Sequence, residues 1–305
     1  MARKWWDRKA QKLPRRDWAE LASEWLAYVP DIAEPGQEPV FSVSSLQSLR
    51  NELVQVQGDH PYDQIEEIPG LRKAVLHQTV HLYHKAVNAI SGAQVHIREG
   101  LTSWSLSSAY QSAFFAAKAI LGLFGVVFVE APEVGVFLVD VWAMKKRKPR
   151  PIVTGTLHTV RLLRTSRIEH RQVWAFFQKM ARKTRVPAGA ISRANLSAIL
   201  ELDIAAFAKQ RNALHYSKSW PFSDLHNFVV IPDFGRFGND IHDGSALAEP
   251  TDGAFSVALG FVLVRAGYQM LRQIGESAPR IRCEADLAAA MLEHKNCALY
   301  QAAFG

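Results

Sequence analysis

Apolar side chains recur in steps of three and four along much of this chain, and that spacing predicts helices. Between residues 71 and 98 the seam runs Leu76, Val80, Tyr83, Val87 and Ile90. A second helix, with Ser103 available as its cap, runs through SSAYQSAFFAAKAILGLFG and places Tyr110, Phe114, Ala117, Leu121 and Phe124 on the same kind of seam. Helix is expected again from Ser192 to about Tyr216, from about Asp252 to Ile274, and in a last short piece from Glu284 to Tyr300. Near the start, Trp18, Leu21, Trp25 and Val29 give residues 15 to 29 one apolar face. A turn-rich connector, Pro30 to Pro39, follows that short helix.

The period changes after Phe124. GVVFVEAPEVGVFLVDVWAM is rich in Val and Phe and is broken by EAPEVG, which reads as two strands in a hairpin. KKRKPRP is a basic turn, PIVTGTLHTVRLL offers a third strand, and a basic helix follows over roughly Ile168 to Lys183. The expected fold is mainly α: an antiparallel four-helix bundle with a small β-hairpin insertion and an N-terminal helical arm. Residues 67–124 and 190–280 form the bundle in this reading, and 125–189 the insertion with its basic helix. Residues 1–66 form the basic, aromatic arm and connector, and 281–305 a C-terminal helix.

Composition narrows the class without changing the fold. The chain has 305 residues, 48% of them hydrophobic and 21% charged, which suits a globular protein with a large core. MARKWWDRKAQK has the charge of a secretory leader but no apolar stretch after it, and the longest apolar run, Ala254 to Val264, is too short to span a bilayer. Two cysteines, Cys283 and Cys297, are too few for a disulfide scaffold or a four-thiolate zinc site. A reducing cytoplasm and no membrane association are the simplest expectations.

Charge is more informative. From Lys145 to Arg185 there are thirteen Lys or Arg against one acid, Glu169, and the first sixteen residues hold seven against Asp7 alone. The rest of the chain is acidic on balance, although the whole carries a formal charge of +7. Charge concentrated in this way suits a polyanion, because each neutralised phosphate releases condensed counterions; solvated basic helix faces are the plainer explanation. Lys145, Lys146, Arg147, Lys148 and Arg150, with Lys218, are the candidate nucleic-acid contacts.

The sharpest local feature is KQRNALHYSK, residues 209 to 218. The seam Leu200, Ile204, Phe207 reaches Arg211 where an apolar residue is expected, and Leu214 follows. His215 lies four residues beyond Arg211, so a helix puts both on one face. A buried guanidinium without an anion is expensive, so Arg211 calls for an anion, a cavity or a subunit interface. Together the pair can act on phosphate, Arg stabilising its oxygens and His exchanging protons near neutral pH. A structural pair held by Glu201 or by a partner helix is the rival reading.

The segment SSAYQSAFFAAKAILGLFG followed by QRNALHY resembles the HEPN superfamily, helical bundles of prokaryotic toxins and antiviral effectors. The resemblance covers the bundle alone, about half the chain. It implies a metal-independent endoribonuclease working at a homodimer interface without a cofactor. His215 would be the acid-base group, Arg211 would hold the scissile phosphate, and Asn212 would orient one of them. The RNA 2′-hydroxyl would attack and leave a cyclic phosphate. Three residues separate Arg211 from His215, where the family usually has four to six. Two readings of other classes stand beside this one: an inactive HEPN-like scaffold that binds RNA or protein, and a basic subunit of a larger nucleoprotein complex.

Other motifs add little. His77, His81 and His84 follow an i, i+4, i+7 pattern at the edge of a helix seam, a spacing that packing histidines share with metal ligands, and no metal is expected. GNDIHDG, residues 238 to 244, fails the calcium-loop pattern because Ile241 stands at a ligand position. Phosphate-binding loop, nucleophile-elbow and zinc-peptidase motifs do not occur. In RKWWDRK, Trp5 and Trp6 suit either stacking on unpaired nucleotides or docking on a protein partner, and docking is preferred.

Overall fold

The computed structural model describes residues 16–26, 64–69, 71–131, 135–141, 157–165, 170–187, 189–203, 207, 247, 253–276 and 279–294. Seven helices and six strands lie among them, so the chain is mainly helical, as its apolar spacing predicts. The helices are α1 (Trp18–Leu26), α2 (Leu71–Arg98), α3 (Thr102–Leu123), α4 (His170–Lys183), α5 (Arg193–Glu201), α6 (Gly253–Gly275) and α7 (Pro279–His294). The strands are β1 (Arg16–Asp17), β2 (Gln64–Pro69), β3 (Val126–Ala131), β4 (Gly135–Asp140), β5 (Leu157–Thr165) and β6 (Thr184–Arg185).

Helix α3 is the centre of the packing, with α2 and α6 against it and α4 on another side. The α2–α3 pair is antiparallel, and small residues at seven-residue steps bring the two backbones together. Ser105 Oγ donates to the Ala93 carbonyl and Ser112 Oγ to the Ala86 carbonyl, each at 2.7 Å. Farther along, Gly122 faces Thr79, whose Oγ1 bonds back to Val75 O at 2.7 Å. A Cβ at Gly122 would lie 2.0 Å from that oxygen. Gly122→Ala is therefore expected to destabilise by about 1–3 kcal/mol through overpacking. The loss should appear although alanine favours helix by about 1 kcal/mol. Thr79→Ala in the same chain should restore most of it in urea unfolding. A stabilised Gly122→Ala would contradict the close approach. Helix α6 uses the same device at Gly260, whose Cβ would lie 2.9 Å from Ile90 Cδ1 and 3.2 Å from the Ala109 carbonyl.

Helix α7 packs on α6 and α2. Between them Tyr83 is fully buried, and its hydroxyl meets no hydrogen-bond partner among the described residues. Burial, then Tyr268 and Asp286, push its ionisation well above the ordinary 10.0. Removing an unsatisfied buried hydroxyl relieves its desolvation, so Tyr83→Phe is expected to be neutral or to stabilise by about 1 kcal/mol. The folded state holds this proton more tightly than the unfolded chain, so Tyr83 disfavours folding as pH rises above 10.0, where the unfolded phenol ionises first. Tyr83→Phe should flatten that part of the alkaline stability curve. A variant destabilised by more than about 1 kcal/mol would show that the hydroxyl is bonded.

After α3, Gly125 takes φ 78°, a left-handed conformation open to glycine, and turns the chain into β3. The expected hairpin is present as β3 and β4, paired Val126↔Asp140 through Ala131↔Gly135. Strand β5 joins it, and β2 pairs with β5 from Gln64↔Leu162 to Pro69↔Leu157, giving one antiparallel sheet in the order β2-β5-β4-β3. Strand β2, QIEEIP, is an element the apolar pattern does not mark: six residues with two Ile and two Glu carry little signal of their own. The N-terminal amphipathic helix is docked as α1, with Trp18, Leu21 and Trp25 buried and the Trp25 indole N–H bonded to Leu123 O at 2.8 Å. Arg16 donates to the Phe124 carbonyl and Trp18 to Gln273. Strand β1 adds a parallel pairing with β6, Arg16↔Thr184 and Asp17↔Arg185.

One expected helix differs. The segment from Ser192 does start a helix, and Ser192 caps it by accepting from the Asn195 N–H at 3.2 Å. That helix, α5, stops at Glu201, because Leu202 takes φ −51° and ψ 126°. A fresh helical hydrogen bond then runs from Phe207 N to Asp203 O at 2.9 Å. The apolar seam from Leu200 to Phe207 is thus not one continuous helix. Its period survives a break that the pattern cannot register. Gln178 on α4 accounts for the break locally, its side-chain NH2 donating to both Ile199 O and Leu202 O at 2.8 and 3.0 Å.

Candidate functional site

Arg211, Asn212 and His215 lie outside the described residues, as do Lys145, Lys146, Arg147, Lys148, Arg150 and Lys218. Trp5, Trp6 and the GNDIHDG segment lie outside them too. What is described is the surroundings of Phe207, four residues before Arg211 in the sequence. Phe207 is 3% exposed and sits in an aromatic cluster, its ring 4.8 Å from Tyr110, 5.4 Å from Trp174 and 5.9 Å from Phe255. Those three partners come from α3, α4 and α6, so the cluster ties Phe207 to three helices. Arg211 follows Phe207 by four residues, a length of chain that reaches no farther than about 14 Å.

His170 is the polar member of this cluster and the first residue of α4. It is half-buried, and its ring lies parallel to Phe114 at 4.0 Å and to Tyr110 at 5.9 Å. Its Nδ1 is 3.3 Å from the Tyr110 hydroxyl, which also accepts from the Trp174 indole N–H at 3.2 Å. The indole donor occupies one lone pair of the Tyr110 oxygen and lets the phenol proton point at the imidazole. Lys118 lies 5.7 Å from the centre of the Phe114 ring, a cation on the same stack.

The outward face of α4 is basic. Val173, Trp174, Phe176, Phe177, Gln178, Met180 and Ala181 are buried, and the opposite arc carries Arg171, Lys179, Arg182 and Lys183. Lys179 is held below its ordinary value, first by partial burial and then by its neighbours Arg182 and Lys183. Arg182 donates to Leu200 O at 2.6 Å across to the end of α5. Arg185, just beyond, faces Asp17 at 3.8 Å.

His77 is 4% exposed, His81 and His84 are half-buried, and among the described residues no group of three His, Cys, Asp or Glu side chains is placed to hold a metal ion. Glu201 is exposed and accepts from Ser197 Oγ at 3.0 Å. Among the described residues no helix is long and apolar enough to cross a membrane.

Sequence reasoning marks α4 as a basic helix but misses His170, Tyr110 and Trp174 as one cluster. Tyr110 and Trp174 stand on apolar seams and read as core, which they are. Only the hydrogen bonds between them single them out, and sequence spacing does not encode a contact between residues sixty-four positions apart. Comparison with protein-family models, with curated proteins and with solved structures finds no match for this chain.

Proposed function

We propose that this protein is a metal-independent endoribonuclease of HEPN type, acting in toxin or antiphage defence through Arg211, Asn212 and His215 at a homodimer interface. The observation that carries the reading is the seating of Phe207 between Tyr110, Trp174 and Phe255. It fixes the chain four residues ahead of Arg211 beside the basic helix α4. In this reading the 2′-hydroxyl of RNA attacks the adjacent phosphorus while the bond to the 5′-oxygen breaks. His215 takes the proton from the 2′-oxygen, and the partner's imidazole delivers one to the departing 5′-oxygen. Arg211 neutralises the charge that builds on the equatorial oxygens. Each subunit supplies one Arg and one His, so the products are a cyclic phosphate and a 5′-hydroxyl.

The break at Leu202 favours a second reading, an inactive scaffold of the same fold that binds RNA or a protein. It removes the continuous seam that would by itself hold Arg211 and His215 in register with Leu200. Incubating the purified chain with end-labelled total RNA in EDTA separates the two. Cleavage by the wild type, abolished in His215→Ala with RNA binding retained, supports the nuclease. Dimerisation and RNA binding without cleavage support the scaffold.

A further inference from the structure

One end of the α2–α3 hairpin leaves large apolar side chains in solvent. Trp104, in the first turn of α3, is 61% exposed, whereas Trp18, Trp25 and Trp174 are at most 3% exposed. Leu101, three residues earlier, and Val95, near the end of α2, are exposed as well. The contact with α2 is made by the next residue, Ser105, so helix packing does not use the indole.

Trp104 begins a stripe along α3, with Ser108, Gln111 and Phe115 at i+4, i+7 and i+11. The register that sets Ser105 on Ala93 and Ser112 on Ala86 lays Lys85, Ala89, Gly92 and His96 of α2 beside it. Ser108 Oγ lies 3.3 Å from His96 Nδ1, and Lys85 Nζ lies 5.9 Å from the centre of the Phe115 ring. Between those contacts the surface is open, for a Cβ on Gly92 would meet nothing within 4 Å. The stripe runs for about 16 Å along the helix axis, the reach of a few nucleotides.

Features of this face select its occupant. An amphipathic helix laid here would need apolar anchors at every turn, yet the two middle positions are Ser108 and Gln111, which offer hydrogen bonds instead. Neither α2, with 28 residues, nor α3, with 22, contains an Asp or Glu, and Glu99 in the turn between them is the hairpin's single acid. A second copy of the face would therefore bring like charge to like, whereas a polyanion meets the opposite sign. Lys85 already covers Phe115, so Trp104 is the open aromatic ring of the stripe.

We propose that this outer face of the α2–α3 hairpin binds single-stranded RNA, with an unpaired base stacked on Trp104 and the strand running past Ser108 and Gln111. Stacking requires a base outside a duplex and tolerates any sequence, since every base has a π-face. The choice of RNA as the polyanion rests on the ribonuclease reading above.

The test uses a 2′-O-methyl oligouridine, which keeps bases and phosphates but has no attacking hydroxyl. In the full-length chain, Trp104→Ala is expected to weaken its binding about five- to a hundredfold, the range for losing one base–aromatic stack. The slope of log affinity against log salt should hold its wild-type value, because stacking releases no counterions. Trp104→Phe should keep most of the affinity. Gly92→Leu, which fills the open space from the other helix, should weaken binding with no loss of thermal stability, and so separates the effect from misfolding. The same backbone without bases should bind the wild type and Trp104→Ala equally. Unchanged affinity in Trp104→Ala overturns the proposal, as does a loss that comes with a lower slope, or a wild type that does not bind. Equal affinity for polyglutamate, abolished in the same variant, overturns it in favour of an acidic protein partner. A dimer that Trp104→Ala turns into a monomer overturns it in favour of a second copy. Failure of the nuclease reading looks different: the affinities change as expected, while the wild type leaves ordinary RNA intact.

Discussion

Trp174→Ala is expected to destabilise the protein by about 3–5 kcal/mol, the range for deleting a large aromatic from a packed core. The indole is 1% exposed and lies against Tyr110, Phe177 and Phe207 at steep interplanar angles, with centroids at 6.5, 6.0 and 5.4 Å. Its N–H also occupies the Tyr110 oxygen, so the variant loses packing and a buried hydrogen bond together. Surrounding helices cannot close over the space easily, because α3 approaches α2 and α6 through small residues already in contact. Urea unfolding should show the midpoint falling with an unchanged slope, as expected when stability alone changes. Leu287→Ala, at a position 60% exposed, should shift it by less than about 0.5 kcal/mol. A Trp174→Ala variant within about 1 kcal/mol of the wild type would mean that the cluster does not anchor the Phe207 segment.

His215→Ala is expected to lower the rate of RNA cleavage by about 10²–10⁴, the range for losing a positioned proton-transfer group. RNA affinity should change little, since the role proposed for His215 is proton transfer and not phosphate binding. Arg211→Ala should produce a comparable fall. Arg211→Lys should recover only part of the rate, because lysine keeps the charge but not the planar fork that meets two phosphate oxygens. If His215→Ala weakens binding and turnover in equal measure, His215 is a contact residue and the catalytic assignment fails.

The sequence makes the helices legible wherever the seam is long and unbroken. Leu76, Val80, Tyr83, Val87 and Ile90 are all buried on α2, and the stripe on α3 behaves the same way. The hairpin is legible as well, because Val-rich strands on either side of EAPEVG differ in period from the helices around them. Strand β2 is not, since its place in the sheet comes from pairing with β5 about ninety residues later and not from its own composition. Nor is the end of α5. A seam counts positions on a face, and it continues across Leu202 although the helix does not, the next helical bond running from Phe207 to Asp203. The basic character of α4 can be read from composition, but its confinement to one arc needs the buried arc to be known. The hydrogen bonds joining Trp174, Tyr110 and His170 link α3 to α4 and leave no trace in local spacing.

Metal-independent chemistry is expected of the Arg211 segment, and the product ends test it most directly. RNA digested by the wild-type chain in EDTA should carry 2′,3′-cyclic phosphate and 5′-hydroxyl termini, and the His215→Ala digest should carry neither. Termini with 5′-phosphates, cleavage that EDTA stops, or identical products from the two proteins would contradict it.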